Sequence, residues 1–437
     1  MVSPLAGIKV VDASQVIAAP LCARHLADFG ADVIHIENTK GGDFWRSYLN
    51  DVKGVTAVPS EINYNWEIFN RNKKSVALDL SQARGQEILY KLVASADVFV
   101  TNLRVYERDK FNCSYQKLKA INPKIIYASI TGFGQKGDEC DAPAFDQTAY
   151  WNRAGVNKAT LPAGVIDTGY RAGLGDTIAG LGLYGAIMTA LFHRQKTGVG
   201  QEVEVSLLSA GLYQLSFDIS GALVTGQDFL DLNADSPENP DPVANEKSKL
   251  VNNVREAYDK LWEHTKSNLP NPLYGAYPTR DGRIVHLNVL QPDRYWAKVC
   301  NALGIENLID DPRFSRHEIR TKHHKELFYI VKQAFARFAL ADIYRRLLQW
   351  GVPFAVQQRI KDVVHDPQAR ANNYFVKFEH PVHGQMEILA NLMSLSETPA
   401  VYRLPAPDFS QHTEETLLEL GYSWEEIAQL KDGGVIP

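Results

Sequence analysis

The first forty residues alternate in a way that few folds accommodate. An apolar run, Ile8-Lys-Val-Val-Asp12, is followed by a helical stretch over residues 21–29 and by a second run, Asp32-Val-Ile-His-Ile-Glu37. Two buried strands linked by a helix pair in parallel through a crossover, and that crossover is nearly always right-handed. The sequence therefore predicts a βαβ unit. The pattern recurs, with a short strand at 76–80, a helix over 85–94, a strand at 97–102 and another ending at 124–130. Such repetition predicts an α/β domain on a parallel sheet. Ligands of these sheets bind beyond the carboxyl ends of the strands. Here those ends carry polar or glycine-rich turns: residues 38–43, Asn102 and Thr131-Gly-Phe-Gly134. One crevice is expected to gather them. The first turn, residues 13–20, lacks the glycine fingerprint of a pyrophosphate site, which disfavours a standard NAD site.

A chain of 437 residues has room for two domains, or one large domain with an insertion. Asp, Asn, Pro, Ser and Glu crowd residues 226–249, marking a boundary, and Asp281-Gly282 between short strands predicts a hairpin in a smaller α+β domain. A second hairpin is expected over 374–389. A net charge of −5 excludes a broad basic surface, so no nucleic-acid partner is expected. The four cysteines are scattered and the N-terminus is not signal-like, which fits a reducing cytoplasm. The best apolar run, around 176–192, is glycine-rich and ends in His193-Arg194, so no membrane span is expected. None of the twelve histidines falls in a ligand-like spacing, and no metal is expected.

The most suggestive stretch is Gly173-Leu-Gly-Asp176, running directly into an apolar helix. Asp176 is expected at the helix N-cap, held ionised by the helix dipole, with the N–H groups of Gly173 and Gly175 open to a carbonyl under attack. Asp is also a common cap that performs no chemistry. Gly180, Gly182 and Gly185 lie inside the helical run and read as a close-packing face. Trp45 and Tyr48 follow a strand end and serve either a pocket or the core. Lys73 and Lys74 could meet phosphates or occupy a solvated turn. Residues 142–155 read as helical, with Phe145, Asp146 and Arg153 their notable members.

Several segments in this order resemble the class III coenzyme A transferases: residues 4–12, 26–34, Asn72-Lys-Lys-Ser75, Ile130-Thr-Gly-Phe-Gly-Gln135, Gly175-Asp176, Thr197-Gly-Val-Gly-Gln201 and Asp311-Pro-Arg-Phe314. The resemblance spans nearly the whole chain. It implies a nucleophilic Asp176 that forms an anhydride with the acyl group of an acyl-CoA, then an aspartyl-CoA thioester, before a second carboxylic acid takes the CoA. It places CoA against Ile17, Ala18, Asn38, Leu78, Asn102, Lys110 and Phe145, with Lys73 as a phosphate candidate. No resident cofactor is implied; the CoA thioester is a substrate. A large Rossmann-like domain is expected over 1–220, a linker and small domain over 221–329, and a segment returning to the large domain over 330–437, in an interlocked homodimer.

Formyl-CoA transferase has Gln, Arg, Trp and Tyr where this chain has Ile17, Asn38, Tyr48 and Phe145, and a glycine-rich loop where residues 271–276 carry one glycine. These departures argue against an oxalate-type pocket. The nearest motifs are those of enzymes acting on aromatic or branched 2-hydroxy acids, implying an apolar acyl pocket of Ile17, Tyr48 and Trp151 beside Gly175. Two alternatives share the fold: an α-methylacyl-CoA racemase, which pairs its Asp with a His where this chain has Phe145, and a non-catalytic CoA-binding subunit.

Overall fold

The computed structural model describes residues 2–52, 58–160, 171–227 and 270–437. The N-terminal alternation forms β1 (Lys9–Ala13), α1 (Ala18–Asp28) and β2 (Asp32–Glu37). Next come α2 (Trp45–Val52), α3 (Tyr64–Asn70), β3 (Lys74–Ala77), α4 (Ala83–Ser95), β4 (Val98–Thr101), α5 (Val105–Lys110), α6 (Tyr115–Ile121) and β5 (Ile126–Thr131). A π-helical stretch (Gln147–Arg153) and α7 (Val156–Thr160) lead to α8 (Leu174–Thr197), β6 (Glu202–Ser206), α9 (Leu207–Gln214) and α10 (Ser216–Thr225).

The six strands form one sheet in the order β3-β2-β1-β4-β5-β6, all neighbours parallel. The central strands β4 and β5 are buried along their whole length, which is why they lack the polar alternation of a half-exposed strand. The order reverses between β1 and β4, the topological switch point at which such sheets open a crevice. The single helix expected over 208–224 is broken at Leu215 into α9 and α10. The aromatic run that follows β2 and its loop begins α2.

Every residue of α1 is buried, and α1 packs against α8. Of the three α8 glycines expected to form a packing face, only Gly180 is needed for close approach: a Cβ there would lie 2.5 Å from the Ala18 carbonyl oxygen. Gly182 has ordinary contact distance to Val205, and Gly185 faces open space. By length and hydropathy α8 could cross a bilayer, but it packs against α1, α9, β5 and β6.

The chain divides into two compact units, Met1–Asp241 with Ala371–Pro437, and Pro242–Arg370. The second contains the predicted hairpin, β7 (Tyr274–Pro278) and β8 (Ile284–Asn288), extended by β9 (Phe354–Val356) into an antiparallel sheet. Its core includes Tyr277, Trp296, Phe328 and Phe335, together with Val331, Ile343 and Leu347. Residues 330–370 thus belong with this unit, not with the returning segment expected to start at 330. The return begins near the hairpin β10 (Phe375–His380) and β11 (Gly384–Leu389). It is tied to the sheet by Asn72, whose Oδ1 accepts from the Arg403 and Leu404 N–H groups, and by the Ala77 N–H donating to Thr413 Oγ1.

Candidate active site

The carboxyl ends of the strands hold two cavities. One of about 370 Å3 lies beyond β1, β2 and β3 and is lined by Asn38, Lys40, Leu78 and Lys110 among others. The second, about 400 Å3, lies beyond β1, β4 and β5 and is lined by Ile17, Ala18, Asn102, Arg104, Phe145 and Asp176. They share Gln15, Leu103 and Glu107. A smaller recess of about 80 Å3 continues from Asp176 between Val16, Ile17, Phe44, Trp45, Tyr48 and Phe145. Asp176 thus stands in the wall common to the recess and the larger cavity. The expectation that strand-end turns converge on one crevice holds, with the crevice divided in two.

Asp176 is not the cap of α8. That position is Gly173, at φ +84°, and Asp176 lies in the first helical turn. The cap is supplied from elsewhere in the chain. The buried Asp146 carboxylate accepts the Gly173 N–H at 3.0 Å through one oxygen and the Gly175 N–H at 2.9 Å through the other. Those two donors, expected to face a substrate, are therefore occupied. Gly175 is glycine because a Cβ would come within 2.3 Å of Asp146 Oδ1 and of the Tyr150 ring. It is buried beneath the site, not in a cavity wall. Trp151 also turns to Asp146, whose carboxylate it helps to hold ionised, and lines none of the three cavities.

These surroundings reverse the expected protonation of Asp176. Burial, reinforced by the Asp146 carboxylate, pushes its acid up to about 7, against the pull of the helix dipole. Asp146 is itself raised by burial, partly offset by the N–H groups of Gly173 and Gly175. Asp176 can therefore lose its proton near neutrality, and as a poorly solvated carboxylate it is more reactive than a surface acid.

Across the cavity from Asp176 stands the start of α1. Its cap residue, Ile17, makes no side-chain cap, so the first turn of α1 ends at the cavity wall without one. The preceding residue, Val16, sits at φ +72°. For a β-branched residue that conformation costs on the order of 1–3 kcal/mol and persists only where surroundings impose it. Asn102 holds the adjoining Gln15 backbone from both sides, accepting its N–H at 3.0 Å and donating to its carbonyl at 2.7 Å. Asn38 closes its own loop by donating to the Gly42 carbonyl.

Lys73 departs from expectation. Its ammonium is fully buried and donates to Asp12, Asn70 Oδ1 and the Pro20 carbonyl, leaving it no route to a phosphate. Trp45 is buried and stacks on Tyr48 at 4.3 Å, so these aromatics serve core and recess together. Sequence reasoning missed the roles of Asp146 and Val16. Asp146 was noticed without a function, and no local pattern marks a side chain that caps a helix 27 residues further on. Among the described residues, no three His, Cys, Asp or Glu side chains cluster as a metal site.

The sequence matches CoA-transferase family III over residues 5–240 and 250–413. It is 32% identical to (R)-2-hydroxy-4-methylpentanoate CoA-transferase of Clostridioides difficile, over 99% of both chains. It is 29% identical to cinnamoyl-CoA:phenyllactate CoA-transferase of Clostridium sporogenes, over 97% of this chain and 95% of that one. The crystal structure of a CAIB/BAIF family protein from Brucella suis superposes with a TM-score of 0.74 at 25% identity, covering 96% of this chain and 100% of its own. With a Rossmann-type sheet, an acidic side chain at the junction of its cavities and a family match along most of its length, the chain belongs to the class III CoA-transferases.

Proposed function

We propose that the protein moves CoA between an acyl-CoA and a free carboxylic acid through covalent intermediates on Asp176. The observation that carries this reading is the position of Asp176 in the wall shared by the recess and the larger cavity. A carboxylate oxygen of Asp176 attacks the thioester carbonyl; the C–S bond breaks, giving a mixed anhydride and the CoA thiolate. The thiolate attacks the aspartyl carbonyl of the anhydride, releasing the first acid and leaving an aspartyl-CoA thioester. The incoming carboxylate attacks that thioester and expels the thiolate, which then takes the new acyl group and frees Asp176. A serine or cysteine ester could not pass CoA in this way, because the nucleophile itself must become the acyl group of a thioester.

The cavity with Lys40 and Lys110 suits the charged nucleotide end of CoA, and the strip shared at Gln15 and Leu103 leads toward Asp176. The amino end of α1 at Ile17 and Ala18 would meet the oxyanion that develops during attack, since Asp146 occupies the donors of α8. The acid would lie in the recess of Ile17, Phe44, Trp45, Tyr48 and Phe145, whose lining favours a branched or aromatic side chain. The two relatives above are named for such acids. Phe145 borders the site but cannot carry a proton, which weighs against racemase chemistry. A homodimer fits the exposed apolar residues of α9 and α10, Tyr213, Phe217, Leu223 and Val224.

The test is to incubate the protein with branched and aromatic acyl-CoAs and locate adducts by mass spectrometry. A hydroxylamine-sensitive adduct on Asp176, lost in Asp176→Ala, is expected. Exchange of the acyl α-proton with deuterated water, without an acceptor acid and without an adduct, would favour the racemase instead.

A further inference from the structure

Beneath the amino end of α1 lies a closed set of charges that the transfer chemistry does not use. Asp12 of β1 accepts from His35 Nδ1 of β2 and from the Lys73 ammonium, each at 2.9 Å, and all three are fully buried. Ser14 also donates to Asp12. The other ring nitrogen of His35, Nε2, lies 3.7 Å from Asp43, whose side chain is also buried. Burial is the largest single influence and favours the neutral ring, but Asp12 and Asp43 together push it up to about 9. Two anions, Asp12 and Asp43, thus alternate with two cations, Lys73 and His35.

Asp43 is the member of this set that reaches the site. Its two carboxylate oxygens accept the Val16 N–H at 3.0 and 3.1 Å, and one of them also accepts the Trp45 N–H at 2.9 Å. Val16 is the residue in the left-handed conformation, and it lines both spaces that border Asp176. A valine does not choose this backbone, so an outside acceptor must hold it. Asp43 meets that need and cannot easily swing away, because its own N–H is tied to Glu37 and His35⁺ stands behind it.

We propose that Asp43, backed by the His35–Asp12–Lys73 set, is a positioning residue for CoA transfer: it fixes Val16 in its left-handed turn and so sets the start of α1 against Asp176. The proposal rests on the transfer reading above. It assigns to buried charges a role in site geometry, in addition to their part in packing.

The experiment compares wild type, Asp43→Ala, Asp43→Asn and Asp43→Ala with Val16→Gly, measuring single-turnover formation of the Asp176 adduct together with kcat and KM. Asp43→Ala is expected to slow adduct formation and kcat at least tenfold, with KM for the acid changed less than threefold. Asp43→Asn, which keeps one acceptor oxygen, should lose less. Glycine holds φ +72° unaided, so Val16→Gly should recover most of the loss in the Asp43→Ala background. A folded Asp43→Ala within twofold of wild type, or a loss that Val16→Gly leaves untouched, overturns the proposal. Crystal structures of the Asp43 variants decide it without reference to activity: Val16 leaving the left-handed region supports it, and Val16 unmoved overturns it. Absence of any adduct in the wild-type protein would instead reject the transfer reading.

Discussion

Asp146 holds the first turn of α8 through the Gly173 and Gly175 N–H groups while its charge raises the proton affinity of Asp176. One carboxylate thus sets the placement of the other and adds to the burial that raises its proton affinity.

With Asp176 deprotonating at about 7, adduct formation in single turnover should rise with pH through neutrality and level off above it. In Asp146→Asn the repelling charge is gone and the midpoint should move to lower pH. The amide oxygen keeps one contact to the α8 backbone, so the stability cost should stay near 1 kcal/mol. A midpoint that does not move would separate the two acids.

Stability should carry the opposite signature. The free acid ionises near 3.8 and the folded one near 7, so the fold binds this proton more tightly than the unfolded chain does. The associated stabilisation is complete below about pH 4 and is lost as pH rises through about 7. Asp176→Asn removes that dependence. It should be inactive yet more stable than wild type at pH 8.5, by on the order of 1–2 kcal/mol after allowance for partial exposure, with the gap closing toward pH 4. Denaturant unfolding at the two pH values measures it.

Two lysines should behave in contrast. Lys73→Met leaves Asp12 buried without one of its cations and should cost about 3–5 kcal/mol in denaturant unfolding, with CoA affinity of the folded fraction little changed. Lys110→Ala should leave stability within about 0.5 kcal/mol. It should raise KM for acyl-CoA several-fold, and less so at high salt.

Acid selectivity should follow the recess. Tyr48→Ala removes the ring stacked on Trp45, and kcat/KM for branched or aromatic acids should fall roughly tenfold relative to acetate. A competition assay with paired acids reads the ratio directly.

The strand sequence, both hairpins and the gathering of turns at one sheet edge were legible because periodicity and turn residues act locally. Asp176 was legible as a residue but not in its state. Its ionisation depends first on burial and then on Asp146, both supplied only by tertiary packing. Lys73 misled for the same reason: a lysine in a polar tetrapeptide looks solvated, and only the pairing of β1 beside β2 and β3 supplies the anion that lets it be buried. The break at Leu215 falls in an apolar stretch with no Gly or Pro beside it to stop a helix, whereas α2 starts after Asp43, whose carboxylate accepts the Trp45 N–H. Trp151 had the right chemistry for a pocket, but the π-helical turn that carries it directs its indole to Asp146.

Gly180, one helical turn below Asp176, rests its Cα on the Ala18 carbonyl with no room for a methyl group. Asp176 and the start of α1 therefore ride on a single close-packed joint. The spacing of Ile17 and Asp176 is thus tied to an interior contact between α1 and α8. A lone methyl inserted at that joint would part α1 from α8 and widen the gap between Ile17 and Asp176 while leaving both side chains unchanged.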